Sequence, residues 1–283
     1  MNQARLNVQT WQHLQTPAYC LTVSPRGSRT PSHDPCDVTR DSALHRKKKR
    51  FSRVEAQDKA SGMKTPTTES TFDAWADNGR AEGMEQSHRP RALVALQQIP
   101  IQPGQRILDL GCGNGWATRW LAEQAGPEGQ ATGIDLSAKM IARAQGLQNN
   151  PSQVAFQQGS FSALPFQDGA FEHAFSMEAL YYANDLGEAL TEVFRVLAQG
   201  GSLCVCTDFF KENPYCLDWP EMMRIPMQLL SSEGWVTAFK QAGFQRIETI
   251  QCLDPRPITE NTSEEDRHFR QEIGALAILG FKG

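Results

Sequence analysis

The sequence predicts an α/β fold: a doubly wound, seven-stranded, mostly parallel sheet with an antiparallel last strand. An N-terminal helical lid and a helical insert after strand five complete the expectation. Three observations carry it. The stretch Ile107 to Gly115 reads ILDLGCGNG, an apolar run broken only by Asp109 and followed by glycines at 111, 113 and 115. A helical period then starts, with Trp116, Trp120 and Leu121 on one face. From there to residue 207, short apolar runs alternate with helical periods, the pattern of βαβ units. Two late apolar runs, joined by a mostly polar link, fit an antiparallel closing pair.

The chain has 283 residues and 40% hydrophobic composition, enough for a sizeable core. No apolar run approaches the ~18 residues of a membrane span. The net charge of −4 hides an asymmetry. Residues 1–62 carry 11 Lys/Arg against 5 Asp/Glu, and residues 63–283 carry 17 against 27. The acidic body argues against a nucleic-acid partner. Residues 1–62 are rich in Ser, Thr, Pro, Arg and Gln without a sustained period. They read as a disordered leader or an over-extended N-terminus, with Met63 as the natural start and 63–283 as the folded domain. The basic run Arg46 to Arg50 reads as a solvated part of that tail. Seven cysteines without a C-x-x-C pair give no metal-site spacing, and point to a reducing, cytoplasmic compartment.

Element by element, residues 72–99 are helical, with a break at Asn78-Gly79 and Pro90 in the first turn of the second helix. Pro103-Gly104 turns into strand one, Ile107–Leu110. Ala117–Gln124 is amphipathic and ends at Gly126. Gln130–Leu136 is strand two, Ser137 caps the next helix, and Val154–Gln157 is strand three. Phe171–Ser176 is strand four, after the Asp168-Gly169 turn. Leu186–Leu197 is a strong helix closed by Ala198–Gly201, and Ser202–Thr207 is strand five. Cys204 and Cys206 alternate there and face one side. A helix over Trp235–Ala242 and strands Phe244–Leu253 and Gly274–Phe281 finish the chain.

The glycine turn between a buried strand and a helix N-terminus suits a nucleotide-like ligand, because backbone can turn tightly there and be approached closely. It departs from the dinucleotide pattern G-x-G-x-x-G, since the third glycine comes one residue early and Trp116 stands where that pattern needs glycine. Asp109 is a poor neighbour for a pyrophosphate and a good one for a cation. Asp135, at the end of strand two, can accept from both ribose hydroxyls of an adenosine ligand.

These residues resemble motif I of the class I S-adenosyl-L-methionine-dependent methyltransferases. They are most similar to the small-molecule branch that includes the ubiquinone/menaquinone C-methyltransferases. The resemblance runs from about Arg106 to about Val205 and is supported by FRVLAQGGSLCVC, similar to the family's helix–turn–fifth-strand unit. It implies cofactor contacts from Asp109, Gly111, Gly113, Gly115, Asp135, Leu136, Ser160, Phe161 and Met177. In QQGSFSALPF, Ser160 stands where the family usually has Asp or Asn, a departure that weakens the expected contact to the adenine amino group. The family places its chemistry at the loop after strand four. Tyr181 there and His88 in the lid are the candidate catalytic residues. Gly79, Arg80, Glu85 and His88 either line the site or cap helices and face water. Residues 209–231, with Phe209, Phe210, Tyr215, Trp219 and three methionines, are either an apolar acceptor pocket or a cap packed on itself. The loop after strand four lacks the [DNS]-P-P-[YFW] element of DNA amino-methyltransferases.

The expected function is methyl transfer from S-adenosyl-L-methionine to a small-molecule acceptor by in-line displacement. The alternatives are a non-catalytic protein binding S-adenosylmethionine or S-adenosylhomocysteine, and an NAD-dependent oxidoreductase.

Overall fold

The computed structural model describes residues 66–147 and 150–283, so the expectations for residues 1–62 and for a start at Met63 lie outside the described residues. Helix α1, Thr68–Asp77, begins with a capping box. The Thr67 hydroxyl accepts from Ser70 N and the Ser70 hydroxyl accepts from Thr67 N. It stops at Asn78, as the Asn-Gly pair predicts. Helix α2, Arg80–Leu96, starts well before Pro90, which sits inside the helix rather than in its first turn. Proline leaves the Gln86 carbonyl without its helical donor. The Arg256 side chain donates to that carbonyl at 3.3 Å. A donor distant in sequence therefore offsets the break.

Seven strands form one sheet: β1 Arg106–Leu110, β2 Gln130–Asp135, β3 Val154–Gln158, β4 Phe171–Met177, β5 Leu197–Thr207, β6 Gln245–Cys252 and β7 Ala275–Phe281. Their order is β3-β2-β1-β4-β5-β7-β6, and β7 alone runs against the direction of the other six. The helices between parallel strands are α3 Trp116–Ala125, α4 Ala138–Gly146 and α5 Leu186–Val196. Beyond β5 come α6 Trp219–Met223, α7 Ser232–Gln241 and α8 Glu264–His268. Strand order reverses between β1 and β4, which opens a crevice at their C-terminal ends.

Alternation along β1 separates two cores. Leu108 and Leu110 pack with α5, α7 and the start of the post-β5 segment. Ile107 packs with α2, α3, Phe175 and the cysteines Cys204 and Cys206. Helix α5 ends one residue earlier than expected, and β5 begins at Leu197. Leu197 pairs with Phe171, the register shifts, and Ser202 pairs with His173, so the expected turn Ala198–Gly201 is an irregular stretch within the strand. A purely local reading sees two glycines and a stop. Pairing with β4 starts before them at Leu197 and resumes after them at Ser202.

Candidate active site

The crevice is occupied by a cavity of about 650 Å³. Its floor is the glycine turn. Gly111 N and Cys112 N both donate to the Ile134 carbonyl, at 2.8 and 3.0 Å, tying the turn to β2. Gly111 adopts φ +74, and a Cβ there would lie 2.2 Å from the Ala179 Cβ. The loop after β4 thus presses directly on the turn. Gly113 faces open space, with nothing within 4 Å of where its Cβ would be. Gly115 does not line the cavity. A Cβ on it would strike the Phe156 ring at 2.4 Å, so its glycine makes room for β3.

Two carboxylates flank the turn. Asp135, buried at the end of β2, accepts from Gly113 N through Oδ2 and from Ser137 N through Oδ1, both at 2.9 Å. Each oxygen keeps a second lone pair for a ligand. Burial raises its affinity for a proton despite these bonds. Asp109 lines the same cavity and is 2% exposed. Its Oδ2 accepts from the Thr118 hydroxyl at 2.6 Å. Burial, offset in part by Thr118, pushes its carboxyl up to about 7. A buried carboxyl with no cationic partner in contact is complementary to a bound cation.

Leu136, Ser160, Phe161 and Met177 line the cavity with Asp109, Gly111, Gly113 and Asp135. Ser160 Oγ lies 3.1 Å from Ser162 Oγ, and Ser162 also lines the cavity. The lid contributes Phe72, Ala81, Met84, Glu85 and His88, whereas Gly79 and Arg80 are absent from the lining. Three hydrogen bonds from Ser137 and Arg143 tie it to α4 and its N-cap. Ser137 Oγ donates to Asp73 Oδ1 at 2.5 Å, Arg143 Nε donates to Glu82 Oε1 at 2.6 Å, and Arg143 Nη1 donates to the Ala76 carbonyl at 3.0 Å. Of residues 209–231, Pro226 alone lines the cavity. Phe209 and Phe210 are buried in the core instead.

The two candidate catalytic residues separate. His88 lines the cavity, and burial, more than its charged neighbours, holds its imidazole below the usual range, favouring the neutral form. Tyr181 does not line it. Its side chain packs behind the β4 loop, and its hydroxyl donates to Glu178 Oε2 at 2.8 Å. The 3₁₀ turn Leu180–Tyr182 instead presents Tyr182 to the cavity.

Four residues of the site escaped the sequence reading, or had a smaller place in it. Asn114 is buried and donates from Nδ2 to Glu85 Oε2 at 2.8 Å, joining the glycine turn to the lid. Its place between the alternating glycines was a signal. Thr118, one helical turn into α3, had none. Glu178 adopts φ +53, unusual for a residue with a Cβ, and is held there by Tyr181 and by Asp208 N, which donates to its Oε1. Arg91 is buried and pairs with Asp208 at 2.6 Å and Asp254 at 3.3 Å. His88, Glu178 and Asp208 each bring a ligand-type atom within 4.8 Å of the others, and a guanidinium already balances Asp208.

The family described as methyltransferase domain matches residues 108–205. The Penicillium expansum O-methyltransferase cnsE is 34% identical over 217 residues, covering 74% of each chain. The chain is a class I S-adenosylmethionine-dependent methyltransferase. The O-methyltransferase resE of Aspergillus sclerotiorum is 29% identical to this methyltransferase, over 71% of this chain and 78% of that one. Among solved structures, one chain in the complex between the Haloferax volcanii Trm112 methyltransferase activator and a candidate methyltransferase superposes with a TM-score of 0.69. It is 31% identical and covers 75% of this methyltransferase and 97% of its own length. Neither the dinucleotide nor the non-catalytic alternative is favoured. No described helix of the methyltransferase is long and apolar enough to cross a membrane.

Proposed function

We propose that the cavity binds S-adenosyl-L-methionine over the glycine turn and a small, largely apolar acceptor beneath the lid, with His88 as the base that receives the acceptor's proton. Asp135 would hold the ribose hydroxyls through its two spare lone pairs. Gly111 and Gly113 would admit the ligand against the backbone, and Asp109 would face its cationic part. Leu136, Ser160, Phe161 and Met177 would close around the rest. When bound, the cofactor supplies a methyl group on a sulfonium, already reactive toward a positioned nucleophile. Catalysis by this chain is then largely positioning, worth roughly 7–11 kcal/mol where it is fully effective. His88 has the fitting state for a base, since a neutral imidazole accepts a proton directly. Tyr181 holds Glu178 in place rather than touching substrate. The observation that carries the reading is the pair of buried carboxylates, Asp109 and Asp135, on either side of a glycine turn that opens into the cavity.

The test is differential stabilisation. S-adenosylhomocysteine should raise the melting temperature and NADH should not, and label from methyl-labelled S-adenosylmethionine should pass to a small molecule in extract of the native host. Stabilisation by NADH alone would overturn the reading.

The Asp109 carboxyl gives a pH signature. Without ligand it titrates near 7, because burial favours the neutral acid. A bound cation favours the carboxylate, so binding releases a proton and affinity rises with pH. The Kd for S-adenosylhomocysteine should increase about tenfold from pH 8 to pH 6, and Asp109→Asn should flatten that slope. A Kd independent of pH over this range contradicts the assignment.

A further inference from the structure

One buried carboxylate, Asp254, holds the lid helix on both sides of His88. Among the described residues none hydrogen-bonds to the His88 ring, so the ring stands where the backbone of α2 puts it. That backbone is interrupted next to the ring. Pro90 removes the donor that the Gln86 carbonyl needs, and a helix lacking that bond can bend there. Arginines catch both flanks of the break. Gln86, two residues before His88, accepts from Arg256 Nη1 at 3.3 Å. Arg91, three residues after His88, donates from its own Nη1 to Asp254 Oδ2 at 3.3 Å. Arg256 donates to the same carboxylate, from Nε to Oδ1 at 2.9 Å and from Nη2 to Oδ2 at 2.5 Å.

Asp254 lies just past the end of β6, and its side chain is fully buried. Burial works against its charge, but the bonds from Arg256 outweigh burial and hold the carboxyl below its usual range. It is therefore ionised at neutral pH and can hold two guanidiniums at once. Arg270 fixes the turn that carries both partners, since its Nη2 donates to the Arg256 carbonyl at 2.7 Å. Arg91 also grips Asp208 through Nε and Nη2, at 3.2 and 2.6 Å, which anchors the same stretch of α2 just beyond β5. A base has to stand within hydrogen-bond reach of the proton it takes. A displacement of about 1 Å can cost up to about a hundredfold in rate. Resting on the reading of His88 as the base, we infer that Asp254 is a positioning residue for methyl transfer: through Arg256 and Arg91 it clamps the two flanks of the Pro90 break and so sets where the His88 ring stands in the cavity.

The test uses full-length Arg256→Met, which keeps the stem and removes the donors of a side chain that is 45% exposed. Label transfer from methyl-labelled S-adenosylmethionine in native-host extract should slow about tenfold, with the Kd for S-adenosylhomocysteine within about twofold. Arg256→Lys, which keeps one charged donor, should recover most of the rate. Asp254→Asn should slow transfer further, and where it melts below the assay temperature Arg256→Met decides alone. A second readout needs no acceptor. The His88 ring is titrated by NMR, its signals identified by their loss in His88→Asn. Burial holds its midpoint below the usual range, while Asp208 pulls it up, Arg91 pushes it down and Glu178 lies close by. In Arg256→Met the ring should leave its buried place and the midpoint should rise. A merely structural role would lower the melting temperature and leave both the rate per folded molecule and the midpoint where they were. Unchanged turnover, an unchanged midpoint, or a parallel loss of cofactor affinity in Arg256→Met would overturn the inference. The failure of the base reading is seen separately. Full turnover in His88→Asn removes the base, whereas an inactive His88→Asn beside a fully active Arg256→Met removes only the clamp.

Discussion

Asp135→Ala is expected to weaken S-adenosylhomocysteine binding by about two orders of magnitude. The carboxylate has two jobs. It accepts from Gly113 N and Ser137 N, which fixes the glycine turn against the entry to α4, and it offers its remaining lone pairs to the cavity. A hydrogen bond to a charged group contributes about 1.5–3 kcal/mol, so two lost ribose contacts amount to about 3 kcal/mol or more. Truncation also leaves two backbone N–H groups without their acceptor, so the ligand-free protein should melt several degrees lower. Asp135→Asn separates the two effects. One amide oxygen remains as an acceptor, and the Kd should fall between the other two. Calorimetry on the three proteins reads this directly. An unchanged Kd in Asp135→Ala would remove the residue from the cofactor site.

His88→Asn is expected to lower turnover by about a hundredfold or more while leaving the Kd for S-adenosylhomocysteine within about twofold. The imidazole lines the cavity, and the proposed reading gives it to the acceptor rather than to the cofactor. A base acts only on the proton leaving the acceptor, so its loss should appear in kcat and not in cofactor affinity. The check is the rate of label transfer from methyl-labelled S-adenosylmethionine in native-host extract, alongside the binding measurement. Full turnover in His88→Asn would show that the acceptor needs no base, as for an already nucleophilic atom. A parallel loss of turnover and cofactor affinity would mean that His88 supports the cavity wall instead.

Much of the architecture was legible in the linear chain because its signals are local. The alternation of apolar strands with amphipathic helices predicts parallel pairing. The Asn78-Gly79 break and the Ser137 cap mark helix ends by backbone chemistry that each residue carries by itself. The glycine turn and Asp135 were legible for the same reason, since a strand, a turn and a strand end within about thirty residues leave little freedom in how they meet. Pro90 misled, because the donor that rescues the Gln86 carbonyl, Arg256, arrives from the far end of the chain. The β5 boundary misled too, because pairing with β4 starts at Leu197, before the glycines that read as a terminator, and resumes at Ser202 beyond them.

By itself the sequence determined the class of fold, the strand–turn–helix that forms the cavity floor, and the two carboxylates beside it. Only the tertiary structure decided which side chains complete the site. Tyr182 and not Tyr181 reaches the cavity, because a 3₁₀ turn sets the phase of those two rings. Gly115 serves the Phe156 ring across to β3, and Asn114 meets Glu85 from a lid helix. Glu178 acquires its character from burial and from Asp208, just past the end of β5. Such pairings depend on how elements distant in sequence pack, and that is set by the whole core rather than by any local period.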